Sequence, residues 1–172
     1  MRATPTTPNS NRPAGRSGER GFSLVELLIV VAVILIIAAI AIPNFINAKL
    51  RANESAAVEN LRTITSANVV YSTTWQTGYA ATLATLGGNS ATPTATAAGL
   101  LDSVLTSGAK SGYNYSYSAG PADPSGNIDS YIINAAPITP GVTGLRYFYT
   151  DQTGVIRANP TAVATSASTP IS

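Results

Sequence analysis

Residues 20–43 read R-G-F-S-L-V-E-L-L-I-V-V-A-V-I-L-I-I-A-A-I-A-I-P. From Phe22 to Ile42 there are 21 residues, and the only charge among them is Glu26. As a helix rising 1.5 Å per residue this stretch spans about 31 Å, the thickness of a bilayer core. A carboxylate inside such a stretch is costly, on the order of 2.5–3.5 kcal/mol at the centre of a membrane helix and less near an end. Glu26 therefore calls for a functional explanation and a cationic partner. Two plainer readings of the run stand beside this one. Ala39-Ile40-Ala41 fits the small-x-small pattern of a secretory cleavage site, although the apolar stretch is long for a signal peptide and carries an acid near its start. A single-pass anchor is the other. Neither accounts for Glu26.

The flanks differ sharply. Residues 1–19 are rich in Pro, Ser, Thr, Asn and Gly and have no apolar periodicity, so they cannot bury enough surface to fold alone. Residues 1–21 hold four arginines against Glu19, a net +3, and the rest of the chain nets −1. The total of +2 is thus an N-terminal, positive-inside flank and not a basic surface. Without a basic patch elsewhere, no nucleic-acid partner is expected. The chain has no cysteine and no histidine. That excludes disulfides, thiolate metal sites and cysteine nucleophiles, and removes the commonest general base and metal ligand. No cofactor is expected.

Gly21-Phe22-Ser23-Leu24-Val25-Glu26, preceded by basic residues and followed by an apolar run to Pro43, resembles the class III signal of type IV prepilins and pseudopilins. The resemblance covers residues 20 to about 50, and more loosely the helix to about 75. It implies that a membrane prepilin peptidase cuts after Gly21 and then methylates Phe22. It implies that Glu26 of an incoming subunit meets the Phe22 amine of a neighbour, and that Pro43 interrupts a long helix. The chemistry is consistent. A glycine lets the peptide enter a narrow cleft, and cleavage creates an ammonium one helical turn from Glu26. A carboxylate and an ammonium attract strongly in a low-dielectric setting. Such a pairing favours one axial stagger between subunits. Pro43 could also simply mark the membrane exit, since proline disfavours helix at the residue before it.

From Asn44 to Trp75 there is no Gly or Pro. Leu50, Ala57, Leu61, Ile64, Tyr71 and Trp75 recur at helical spacing, interrupted by Glu54 and Asn68. The spacing predicts a continuation of the helix laid against a small domain. Lys49, Arg51, Glu54, Glu59 and Arg62 are expected on a solvated, mixed-charge face, with individually weak inter-subunit pairs as an alternative. Residues 76–111 read as irregular, with short helices at Ala80–Leu86 and Leu100–Leu105. Alternating Tyr113, Tyr115 and Tyr117, then Ser130–Ala135, and Leu145–Thr150 turning through Asp151–Gly154 into Val155–Arg157, read as strands. The tyrosines are read as packing and rim residues. Asp123 and Asp129 are the calcium candidates, on a loop that lacks the closing glutamate of an EF-hand and reads as a plain turn. Lys110-Ser111 carries no argument for a catalytic dyad.

The expected fold is α+β: a long N-terminal, partly transmembrane helix packed on a small antiparallel sheet of three to four strands. The expected organisation is a cleaved leader at 1–21, a membrane and filament-core helix at 22–43, and its amphipathic continuation at 44–76. A globular domain at 77–158 and a disordered Ser/Thr/Pro-rich tail at 159–172 complete it. The chain reads as a type IV pilus subunit and not an enzyme, with two alternatives. One is the major pseudopilin of a type II secretion system, which the lack of a cysteine pair favours. The other is an anchored or secreted protein that never polymerises. The implied partners are further copies of the chain, the peptidase/methyltransferase, an inner-membrane assembly platform and the bilayer. The implied location is the bacterial inner membrane, then a surface or periplasmic filament.

Overall fold

A computed structural model describes residues 21–171; the expectations for 1–20 lie outside them. The chain falls into two units, one ending at Ile40 and one from Ala41 onward. Helix α1 runs Leu24–Trp75, 52 residues, and Pro43 lies inside it. Having no N–H, Pro43 leaves one rung of the helical ladder without a donor, yet the helix continues through it. In the first unit, the described side chains are exposed apart from half-buried Ala38. This stretch of α1 is long and apolar enough to cross a membrane, and none of it is buried within the chain.

The second unit is α+β. The inward stripe of α1 is Leu50, Ala57, Leu61, Ile64, Ala67 and Tyr71, all buried. After a 3-10 turn at Ala84–Leu86 and helix α2 (Ser103–Thr106) come six strands. They are β1 (Ala109–Lys110), β2 (Tyr113–Ala119), β3 (Tyr131–Pro137), β4 (Tyr147–Asp151), β5 (Arg157–Asn159) and β6 (Thr169–Pro170). Each pairs antiparallel with the next, so the sheet is a meander in chain order.

The tyrosine alternation does what period two requires. Tyr113 and Tyr115 are buried and Tyr117 half-buried, opposite Pro137, Ala135 and Ile133 of β3. Tyr117 stacks on Tyr131 with ring centroids 5.6 Å apart, and Tyr79 meets Tyr131 edge-on at 4.8 Å. These rings, with Phe148, Ile133 and the α1 stripe, form one hydrophobic core. The tyrosines are thus core residues: Tyr113 donates to the Arg146 carbonyl and Tyr117 to the Ala80 carbonyl, while the buried Tyr131 hydroxyl has no partner among the described residues.

Three expectations need correction. The sheet has six strands, not three or four, because β1, β5 and β6 are two or three residues long and carry no apolar alternation to betray them. The two expected short helices shrink to Ala84–Leu86 and Ser103–Thr106. Around them, backbone bonds such as Ala98 N to Thr85 O and Leu100 N to Leu86 O hold the loop, while Leu86, Leu101 and Leu105 enter the core. The tail beyond residue 159 is ordered up to Ile171. β6 pairs with β5, Arg157 donates to the Ser168 carbonyl at 3.0 Å, Ala164 is buried and Ile171 packs on the core. Two apolar side chains and an open strand edge sufficed to order a segment whose overall composition is polar.

Candidate functional site

Gly21 and Phe22 precede α1 as exposed, non-helical residues. A Cβ placed on Gly21 would meet no described atom within 4 Å. Nothing in the described chain therefore calls for glycine there. Phe22 is 73% exposed. The first helical bond runs from Leu27 N to Ser23 O at 3.1 Å. Glu26 is the acid of the first turn, where a negative charge is favoured by the helix dipole. It is exposed and makes no ion pair among the described residues. Phe22 lies four residues before Glu26, just ahead of the first helical turn. An α-amino group at Phe22 would place one positive and one negative group near the same end of α1. Below them Leu24, Leu27, Leu28, Val31, Ala32 and Leu35 line an open apolar groove of about 400 Å³. Pro43 is exposed within α1.

A second acid of α1 behaves in the opposite way. Glu54 is buried, and its carboxylate is fully used. Oε1 accepts from the amides of Leu145 (2.9 Å) and Arg146 (3.1 Å), and Oε2 accepts from Arg146 Nε (2.8 Å). Burial raises the Glu54 pKa; the Leu145 amide, the Arg146 side chain and amide, and the Arg146 charge together lower it by more, so it lies below the usual 4.5. Glu54 is not part of a solvated face, as its charge alone suggested. It follows Leu50 by four residues and precedes Ala57 by three, so it sits on the inward stripe. Asn68 does the same. Its Oδ1 accepts from the Tyr117 hydroxyl (3.0 Å) and the Ala80 amide (3.2 Å). Asn53 and Asn60 add bonds to the Thr143 carbonyl and the Tyr115 hydroxyl, each 2.8 Å. Polar residues on α1 thus bolt the helix to the strands and their loops. The clue was there in the spacing: a polar residue at a stripe position needs a buried partner.

The Asp123 carboxylate is engaged by its own loop. Oδ1 accepts from the amides of Ser125 and Asn127, each 2.8 Å, and the Asn127 amide is the leading cause that draws the Asp123 pKa down. Asp123 therefore builds the turn, and Asp129 is exposed nearby in sequence. Among the described residues no three acidic, histidine or cysteine side chains gather as a metal site.

These features define a protein with a membrane-length N-terminal helix, a single acid in its first turn, and a small α+β domain built on its later turns. Residues 16–42 match the family described as the prokaryotic N-terminal methylation motif. The N-terminal segment is thus similar to that of proteins named as type IV pilins. The type IV major pilin protein PilA of Myxococcus xanthus is 56% identical over 48 residues, 28% of this chain and 22% of that protein. The type IV wide pilus major component PilA4 of Thermus thermophilus is 56% identical over 36 residues, 21% of this chain and 28% of that protein. The chain thus matches about a quarter of the length of these curated relatives. No solved structure matches it.

Proposed function

We propose that this chain is the structural subunit of a type IV pilus. In this reading it is made as a prepilin, cleaved after Gly21, methylated at Phe22, stored in the inner membrane through residues 22–42, and polymerised with further copies of itself. The observation that carries the reading is Glu26: one acid, exposed, on an apolar helical surface that the chain leaves entirely uncovered. The helix dipole alone favours an acid there by well under the cost of placing it in the membrane, whereas a neighbour's Phe22 ammonium would neutralise it and set the stagger of the two helices. The bare apolar surface of 22–42 needs lipid before assembly and other helices after it. The relatives, named as major components of pili, support a pilus over a secretion pseudopilus.

The test is mass spectrometry of the chain from sheared surface filaments. An N-methylated Phe22 as the first residue, in a surface filament, is the expected result. A mature N-terminus at Met1 or Ile42 would sink the prepilin reading. Methylated Phe22 on a chain confined to the envelope would favour the pseudopilus.

A further inference from the structure

Within the second unit, an open cleft of about 570 Å³ lies immediately beyond the membrane-length run. Leu50, Leu145 and Pro160 form its apolar lining, and Asn47, Arg51 and the Glu54–Arg146 pair its polar lining. Its charge balance is positive: two guanidinium groups against one carboxylate, whose oxygens are already taken by two amides and Arg146 Nε. Arg51 has no carboxylate within 4.0 Å among the described residues. Arg146 is held at Nε by Glu54, and its guanidinium carbon stands 5.3 Å from the centre of the Phe148 ring. Its Nη atoms make no hydrogen bond to a described residue, and 43% of its side chain is exposed. A guanidinium fixed at Nε with free Nη donors suits a phosphate, which accepts two parallel N–H bonds.

The position of the cleft identifies the source of that phosphate. Asn47 and Arg51 follow Ile42 by five and nine residues, about 7.5 and 13.5 Å of helix rise. The headgroup layer adds about 5–8 Å to each side of the hydrocarbon core. Side chains on a helix lean toward its N-terminus, here back toward the bilayer, and arginine extends its charge to the interface along an apolar stem. The apolar walls, with Leu145 55% exposed, match the glycerol end of a lipid, whereas a free phosphate would gain nothing from them.

We propose that the membrane-stored subunit binds the headgroup phosphate of an anionic phospholipid in this cleft, between Arg51 and Arg146. The inference rests on the reading of residues 22–42 as membrane-embedded. The full-length chain is placed in nanodiscs of phosphatidylcholine alone or mixed with phosphatidylglycerol, and the lipid retained on release is measured by native mass spectrometry. The wild-type chain retains phosphatidylglycerol in preference to phosphatidylcholine. Arg51→Gln, which leaves the Glu54 clamp intact, lowers that retention about fivefold, the loss of one exposed charge contact, and Arg51→Lys restores part of it. Equal retention of the two lipids, or equal retention by wild type and Arg51→Gln, overturns the proposal while leaving the membrane reading intact. Inorganic phosphate that displaces phosphatidylglycerol at equal concentration overturns the assignment to a lipid. Failure to enter neutral discs overturns the membrane reading and this inference with it.

Discussion

Glu54→Gln separates charge from shape at the Glu54–Arg146 ion pair, whose carboxylate is buried. The substitution keeps a carbonyl oxygen that can still accept from the Leu145 and Arg146 amides. It replaces the oxygen facing Arg146 Nε, now 2.8 Å away, with an amide nitrogen or a neutral oxygen. A hydrogen bond to a charged group contributes about 1.5–3 kcal/mol net. Arg146 is 43% exposed and can regain water, so the expected loss falls to about 1–2 kcal/mol. For a domain of this size that is on the order of 4–8 °C in Tm. Glu54→Ala also strips two buried amides of their acceptor and should cost more, about 2–4 kcal/mol. The assay is thermal unfolding of the full chain in detergent, followed by the near-ultraviolet signal of the packed tyrosines.

The pH dependence carries the sharper test. The folded pKa of Glu54 is below its ordinary value of 4.5, so the unfolded chain takes up the proton first. The stabilisation is complete above pH 4.5 and is lost as the pH falls through the folded value. Asp102, Asp123 and Asp151 are also shifted down, so wild-type stability alone does not isolate Glu54. The difference between wild type and Glu54→Gln does. It should be constant from pH 7 to about 5 and shrink toward pH 3. A difference that is absent at pH 7, or that stays constant into acid, would refute the argument that the charge of Glu54 holds the clamp.

Two further substitutions probe other parts of the argument. Glu26→Gln should still be cleaved after Gly21, with a methylated Phe22 by mass spectrometry, but should give a sharply reduced yield of sheared filaments; normal yield would remove the case for an amine–carboxylate pairing. Gly144→Ala should destabilise the domain by about 1–3 kcal/mol in urea unfolding, because the new Cβ would run into the Tyr113 hydroxyl and ring, themselves pinned by the bond to the Arg146 carbonyl; a wild-type midpoint would mean that this contact yields.

Sequence reading succeeded where one physical signal dominated. The apolar run has the length of a membrane span, the α1 stripe obeys a 3.6-residue period, and the alternating tyrosines of β2 obey a period of two. It failed where the deciding interaction is made by backbone or by distant partners. β6 contains Thr169 and Pro170, which no propensity marks as a strand, and exists because β5 offers an edge. Glu54 looked like its neighbours Arg51 and Glu59, and only the arrival of residues 145–146 from 91 positions away makes it a buried group. The residues proposed for processing and assembly are the opposite case. Gly21, Phe22 and Glu26 were read from a local pattern, and beyond the helix dipole's preference for an acid in the first turn the described chain supplies no contact that calls for any of them.

That contrast is itself an argument about function. α1 carries two acids at positions where a helix face is apolar, and the chain treats them differently. Glu54 receives three donors from its own domain and is closed to anything else. Glu26 receives none among the described residues, and its apolar neighbours Leu27, Leu28 and Val31 are left just as bare. An acid whose burial is compensated within the chain stabilises the chain. An acid whose surroundings can be buried only by other molecules must find its compensation there too, and a cation on a second copy of the same helix would supply it at the moment the apolar face is covered. Helix α1 thus carries one acid that its own domain has already paired, and a second that, in the proposed filament, a neighbouring copy would pair.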